Sequence, residues 1–409
     1  MTEFQVNTFV NNSQSNSTVA IDPNGNFVIS WQSFGQDGDS NGIYAQRYNS
    51  AGVAQGVEFR VNSTTSGDQN NPTGAIDADG DFVISWTGQD ASGSGIYAQR
   101  YNSAGVAQGS EFRVNSTTSG DQNNSTIAID AVGDFVISWT GQDASGSGIY
   151  AQRYNSAGVA QGSEFRVNST TSGDQNSSTV AVDANGDFVV SWQSYGQDGD
   201  YYGIYAQRYN SAGVAQGSEF QVNTTTTTTR YQLSPTIAID AGGDFVISWQ
   251  SLGQDGSGYG IYAQRYNSAG VAQGSEFQVN NTTIADQKNP TVAMDANGDF
   301  VISWQSYGQD GDNNGIYARR YNSSGVAQGS EFLVNDTTTD NQNNPSVAIA
   351  ADGNFVISWQ SFGQDGSSDG IYAQLYRNNG APPIVTSGSA SALAYIESHY
   401  SHRFRHHRQ

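Results

Sequence analysis

One segment, Phe-Val-Ile/Val-Ser-Trp, returns seven times along this chain and carries every tryptophan it has: Trp31, Trp86, Trp139, Trp192, Trp249, Trp304 and Trp359. The tryptophans are spaced by 55, 53, 53, 57, 55 and 55 residues. A tandem period of this length built from short apolar runs marks a propeller or a solenoid, because one unit cannot bury its apolar faces without a neighbour. No window sustains a helical periodicity, so the chain is expected to be all-β.

The first copy shows the unit. Thr18-Val19-Ala20-Ile21 is a short β-rich run, closed by the turn residues Asp22-Pro23-Asn24-Gly25-Asn26. Phe27-Val28-Ile29-Ser30-Trp31 then carries apolar groups on both faces, as a strand covered from two sides requires. Gly42-Ile43-Tyr44-Ala45-Gln46-Arg47-Tyr48 reads as a third strand, and Asn49-Ser50-Ala51-Gly52 turns the chain. Glu58-Phe59-Arg60-Val61-Asn62 alternates apolar and polar residues, the pattern of an outer strand wet on one face. Four strands graded from buried to half-exposed describe a propeller blade.

The phase of the repeat decides between ring and rod. The chain opens on the fourth-strand sequence, Glu3-Phe4-Gln5-Val6-Asn7, and its last complete element is a third strand, Gly370-Ile371-Tyr372-Ala373-Gln374-Leu375-Tyr376. Fourth strands, starting at Glu3, Glu58, Glu111, Glu164, Glu219, Glu276 and Glu331, are as many as the tryptophan strands. The counts match only if the opening strand completes the last blade, which covers two open edges at once. The expectation is an all-β, seven-bladed propeller of four-stranded blades over residues 1–377. Residues 378–409 follow as a linker and a basic His/Arg-rich tail of low order.

Composition narrows the functional classes. Without the last nineteen residues, which hold three Arg and one Glu, the chain keeps 13 basic and 37 acidic groups, net −24. Such a surface repels nucleic acid phosphates and anionic membranes and favours cations or neutral ligands such as sugars. Zero cysteines exclude disulfides, thiolate metal sites and cysteine nucleophiles. No apolar stretch approaches the length of a spanning helix, and no cationic-apolar leader of the Sec type stands at Met1, so no membrane insertion is expected. Before the tail there is no histidine and one lysine, Lys288. Near-identical blades offer no unique nucleophile–base constellation, so the sequence reads as non-enzymatic.

In a propeller the loops joining strands two and three share one face with the blade-to-blade linkers. The turn after strand three is nearly constant, Asn-Ser-Ala/Ser-Gly-Val-Ala-Gln-Gly, whereas the opposite face varies and gathers carboxylates, amides and single aromatics. Phe34, Tyr195, Tyr201, Tyr202, Tyr259, Tyr307 and Phe362 are therefore the candidate ligand-binding residues, on loops that a rigid scaffold presents. The linker Thr224 to Thr229 followed by Arg230-Tyr231-Gln232-Leu233 departs furthest from the others.

The same loops hold a half-motif for calcium. Asp37, Asp39 and Asn41, and again Asp310, Asp312 and Asn314, read D-x-D-x-N-G, the first half of an oxygen-ligand calcium loop. Asp198 and Asp200 in blade four and Asp365 and Asp369 in blade seven are reduced versions. Where a bidentate Glu should stand there is Tyr48 or Tyr321, so a bound calcium would draw on backbone, water or another loop; the other reading is an Asx-rich solvated turn. Asp77-Ala78-Asp79-Gly80-Asp81 looks metal-like too but fits a tight hairpin. Arg47, Arg100, Arg153, Arg208, Arg265 and Arg320 recur on the third strand, where pairing with a fourth-strand glutamate such as Glu58 is expected.

The unit Glu-Phe-Gln/Arg-Val-Asn … Asp-Gly-Asp-Phe-Val-Ile-Ser-Trp-Gln-Ser … Gly-Ile-Tyr-Ala-Gln-Arg-Tyr-Asn resembles tandem repeats of very large secreted or cell-surface bacterial proteins of the RTX, haemolysin-type calcium-binding kind. The resemblance spans Glu3 to about Tyr376 and implies export and surface exposure, although the glycine-rich calcium nonapeptides of that family are missing here. Ser389 to Glu397 is similar to the opening strand of bacterial cadherin-like domains, and His399 to Gln409 looks like the remnant of a longer protein; its histidines are a second candidate for metal. Together these features lead to the expectation of a monomeric, extracellular or cell-surface adhesion module that recognises glycans or other surface polymers in a lectin-like way. The alternative is a ligand-free spacer of a giant surface protein, with or without stabilising calcium.

Overall fold

The computed structural model of the protein describes residues 2–90, 93–143, 146–199, 201–225 and 231–378. Within them 28 strands form seven antiparallel sheets of four strands, and there is no helix. The sheets follow one another as blades of a closed propeller, as the repeat predicts. The tail beyond Asn378 and the linker residues 226–230 lie outside the described residues.

Blade one is built from Gln14–Ile21, Phe27–Phe34, Asn41–Tyr48 and Phe59–Arg60. Its innermost strand starts four residues before the apolar run that announces it. Gln14–Ser17 reads as polar linker because its side chains bond to the entering segment and the neighbouring blade: Gln14 accepts from Asn7 Nδ2 and Ser17 Oγ donates to Ser358 Oγ. The register slips between Ser15 and Thr18, where Asn16 takes a φ of 53°. In blades two and three the loop after the tryptophan is two residues shorter, and strands Phe82–Asp90 and Gly93–Tyr101 extend the ladder as far as Asp90↔Gly93. Thr87–Gln89 therefore lie in a strand.

Double-sided burial of the second strand follows from blade stacking. Phe27, Ile29 and Trp31 pack against the preceding blade around Val356 and Ile371, while Val28 faces the next blade around Phe82 and Trp86. Trp31 is 0% exposed. Each blade also stacks the ring of its second-strand Phe on the Tyr closing its third strand, as in Phe27–Tyr48 with centroids 4.8 Å apart.

The ring closes as the phase requires. Phe4–Gln5 pairs with Asp369–Tyr376, Phe4 opposite Ala373 and Gln5 opposite Tyr372. Pairing continues beyond the short strand: Val6 N donates to Ile371 O at 2.8 Å and Ile371 N donates to Asn7 Oδ1 at 2.7 Å. Every fourth strand has this device, with Asn62 Oδ1 accepting from Ile43 N at 2.7 Å in blade one.

Two staples join neighbouring blades, and they correct the expected Arg–Glu pairing. The fourth-strand glutamate accepts from the linker entering its own blade. Glu58 takes Thr8 N at 2.6 Å, Glu219 takes Ser169 N and Thr170 Oγ1 at 2.7 Å each, and Glu3 takes Asp336 N at 2.7 Å across 333 positions of sequence. Third-strand arginines reach instead into the next blade's outer turn, Arg47 Nη1 donating to Ala104 O at 2.5 Å and Arg208 Nη1 to Ala269 O at 2.7 Å. The near-constant Asn-Ser-Ala-Gly turn is thus a socket. Gly105, at φ 79°, leaves room for the Arg47 guanidinium, which an added Cβ would meet at 2.9 Å.

Candidate functional site

The loop faces are disposed as anticipated. Ser103 N of an outer turn donates to Asp81 Oδ1 of a one-to-two hairpin, and Gly67 N of a linker donates to Asp39 Oδ2 of a two-to-three loop. The variable face is therefore made of the tryptophan-side loops and the linkers.

On that face one sector breaks the repeat. Tyr195 ends the second strand of blade four, Tyr201 closes the loop before its third strand, Tyr202 opens that strand, and Tyr231 comes from the linker into blade five. Tyr201 stacks on Tyr231 with centroids 4.6 Å apart, Tyr195 meets Tyr202 edge-on at 5.2 Å, and Tyr195 and Tyr201 lie 6.4 Å apart. Tyr202 and Tyr231 also form a parallel β-bridge, so backbone as well as rings fixes the cluster. Tyr195 and Tyr201 are 45% and 41% exposed. Desolvation, then the neighbouring Tyr201 and Tyr195, pushes the Tyr231 phenol above its ordinary range, so that hydroxyl stays protonated at neutral pH.

Next to this cluster, on blades five and six, stands the lone lysine of the repeats. Lys288 Nζ lies 2.6 Å from Asp286 Oδ2 and 4.9 Å above the Tyr259 ring. Asp286 Oδ1 accepts from Tyr259 N at 3.0 Å. Burial opposes ionisation of Asp286, but the Lys288 hydrogen bond and the Tyr259 amide outweigh it and hold the carboxyl below its usual range. The group therefore combines a stable carboxylate, an ammonium and a phenol, half-exposed beside an aromatic platform.

Of the candidate ligand-binding residues the structure brings together Tyr195, Tyr201 and Tyr202, with Tyr259 beside them. Phe34, Tyr307 and Phe362 stand at the same strand end of blades one, six and seven, each about half exposed and apart from this cluster. Tyr231, Asp286 and Lys288 are additions. The signal that could have found Tyr231 is the irregular linker before blade five; for Lys288 it is the uniqueness of the residue.

The calcium half-motifs diverge. In blade one Asp37 turns back over the sheet, where its Oδ2 lies 2.6 Å from where a Cβ on Gly42 would stand. Asp39 Oδ2 turns to the next linker at Gly67, and Asn41 Nδ2 donates to Asp68 and Asn70. Gly42 is thus required by the close approach of Asp37 and Tyr44, not by a turn. Blade six repeats this: Asp310 lies over Gly315, Asp312 Oδ2 accepts from Asp340 N at 2.8 Å, and Asn314 Nδ2 donates to Asn341 and Asn343. Asp198 accepts from Gln221 Nε2 at 3.2 Å, Asp365 from Ser367 N at 3.1 Å and Asp369 from Ser13 Oγ at 3.1 Å. Asp200 and the histidine tail lie outside the described residues. Among the described residues no three His, Cys, Asp or Glu side chains converge on one point. Asp77 Oδ1 accepts from Asp79 N and Asp81 N, the hairpin use expected of it.

No protein-family profile matches the sequence, and no curated protein does. Solved structures match its fold. An ulvan lyase of polysaccharide lyase family PL25 is 14% identical, covering 92% of this chain and 97% of its own, with a TM-score of 0.58. The polysaccharide lyase Uly1 is 11% identical over 88% of this chain and 89% of its own, TM-score 0.56. A protein of unknown function from Dyadobacter fermentans is 11% identical over 91% and 97%, TM-score 0.55. At these identities the likeness establishes a shared propeller fold. It corrects the expectation of a non-enzymatic adhesion or spacer module, which rested on blade symmetry: enzymes are built on this architecture, and here the symmetry is broken in one sector. Among the described residues no helix is long and apolar enough to cross a membrane.

Proposed function

We propose that the protein is a carbohydrate-active enzyme that cleaves a polysaccharide laid across the variable face of blades four to six. The observation that carries this reading is the convergence on one sector of residues that no other sector combines: Tyr201, Tyr202, Tyr231, Tyr259 and Lys288, which depart from most other blades, with Tyr195 and Asp286, which occupy positions the repeat shares. Half-exposed tyrosine rings offer flat apolar surfaces to the C–H faces of sugar rings, with hydroxyls at their rim to bond the sugar's own. Asp286, kept ionised, is the group placed to take a proton or activate water; the Tyr231 hydroxyl and Lys288 are the donors. The polysaccharide lyases that share the fold lend support by showing what such a scaffold accommodates. Such polymers are met outside the cell, and the cysteine-free, acidic repeat body suits an extracellular or cell-surface location.

The test is incubation with a panel of neutral and uronate-containing polysaccharides, following new reducing ends and the ultraviolet absorbance of unsaturated products. Asp286→Asn is expected to lower turnover about 100-fold or more, as loss of a proton-transfer group does. Tyr201→Ala is expected to raise KM several-fold with kcat less affected. Absence of product from every polymer, or an Asp286→Asn variant as fast as wild type, would refute the reading.

A further inference from the structure

The central channel opens on the same face, and its rim is a ring of amides with one gap. At the bulge of the inner strand, blades six, seven, one, two and three carry Asn289, Asn344, Asn16, Asn71 and Asn124, at φ values between 51° and 55°. Their side chains run head to tail. Asn289 Nδ2 donates to Asn344 at 2.9 Å, Asn344 to Asn16 at 3.2 Å, Asn16 to Asn71 at 2.9 Å and Asn71 to Asn124 at 2.9 Å. Blades four and five interrupt the chain with Ser177 and Ser234.

Those serines contradict the local backbone. They sit at φ 55° and 54°, a left-handed conformation that asparagine tolerates well and serine does not. A rule broken in two adjacent blades and kept in five points to use of the gap rather than to the needs of the fold. The gap leaves Asn124 Nδ2 as a donor end and Asn289 Oδ1 as an acceptor end. At the Ser177 joint, Thr140 Oγ1 is buried without a partner in a residue 9% exposed, whereas its counterpart Thr87 Oγ1 accepts from Asn124 N at 3.1 Å.

The gap and the tyrosine platform belong to the same two blades. Tyr231 precedes Ser234 by three residues, about 10 Å along the inner strand, and Ser234 N donates to Gln193 Oε1 at 2.9 Å, two residues from Tyr195. Tyr195 N donates in turn to Asp174 O, three residues ahead of Ser177. The channel mouth framed by these residues encloses about 350 Å³, room for a sugar ring, and its rim side chains are uncharged.

We propose that this notch, bounded by Asn124, Ser177, Ser234 and Asn289, is a subsite for the terminal, uncharged sugar of the polysaccharide chain, so that the protein works from chain ends. The proposal rests on the polysaccharide reading above. A chain held on the tyrosines and turning into the channel meets amide and hydroxyl groups on three sides, and the channel axis admits an end but not the middle of a polymer lying across the face.

The test fills the gap with the residue that the other blades carry. Ser177→Asn/Ser234→Asn suits the backbone and restores the amide ring, so it is expected to melt at or above the wild-type temperature; should it melt lower, Ser234→Asn alone decides. With neutral oligosaccharides of two to six sugars as probes, the filled variant should lose at least ten-fold in affinity and in cleavage rate. The wild type should release one small product from the outset rather than a ladder of sizes. Equal affinity and rate in filled and wild-type protein, or a ladder of products, overturns the notch while leaving the polysaccharide reading standing. No binding and no cleavage by the wild type overturns both.

Discussion

Deleting residues 1–7 removes the strand that shuts the ring, and its cost can be worked from the seam. Val6, 3% exposed, sits in the core shared by blades seven and one, and the Phe4 ring lies 5.4 Å from Tyr48 of blade one. Two apolar side chains at roughly 1.5–3 kcal/mol each give about 3–6 kcal/mol. For a cooperative unit of this length, scaling the entropy of unfolding per residue converts that to a fall in Tm of about 4–8 °C. The loss is not only apolar. Glu3 would no longer accept from Asp336 N and Thr337 Oγ1, Asn7 would no longer accept from Ile371 N, and the strand Asp369–Tyr376 would become an open edge. Calorimetry and size-exclusion chromatography of the truncated and full proteins measure both effects. A truncated protein with unchanged Tm and an unchanged elution volume would refute ring closure by this strand.

Glu219→Gln weakens the clamp on Ser169 and Thr170 and should cost about 1–3 kcal/mol at neutral pH, read by chemical denaturation. Burial works against the Glu219 charge, but the Thr170 and Ser169 hydrogen bonds prevail and keep its folded pKa lowered, so its contribution is present above the ordinary glutamate range and fades as pH falls through the folded value; the variant should flatten that acid limb. Asp369 has the opposite sign: desolvation raises its folded pKa, so its ionised form is the destabilising one and stability falls as pH rises through that value. Asp369→Asn should therefore keep or raise Tm at neutral pH, and a lower Tm would show that the Ser13 bond to the charged form dominates. Gly42→Ala places a methyl 2.6 Å from Asp37 Oδ2 and 3.3 Å from the Tyr44 ring, and should destabilise by about 1–3 kcal/mol in a thermal melt.

The fold was open to reading because every blade must solve the same burial problem, and the tryptophan strand states the solution in its apolar residues. The position of Glu3 relative to Tyr376 even revealed the closure. What stayed hidden was the work of polar residues. Arg47 and Glu58 are opposite charges on adjacent strands, yet backbone groups of neighbouring chain segments outbid the pairing, because a turn carbonyl and a linker amide need partners more than two solvated ions do. Asp37, Asp39 and Asn41 have the spacing of a metal loop, but the linkers at Asp68 and Gly67 draw two of them apart. The tyrosines of blade four were visible singly; that Tyr231 joins them depends on how a linker crosses from one blade to the next, which no local pattern encodes.

The clasp formed by Glu3 and Asp336 also governs the order of events during biosynthesis. The first strand leaves the ribosome long before its true partner exists, and it meets on the way up to six third-strand edges of almost identical sequence. Each of those edges is soon taken by the fourth strand next in line, so mispairing is transient when folding keeps pace with translation. At high concentration the same strand can instead fasten onto the last blade of another molecule, and strings of open rings are the failure to look for when this protein is refolded from denaturant.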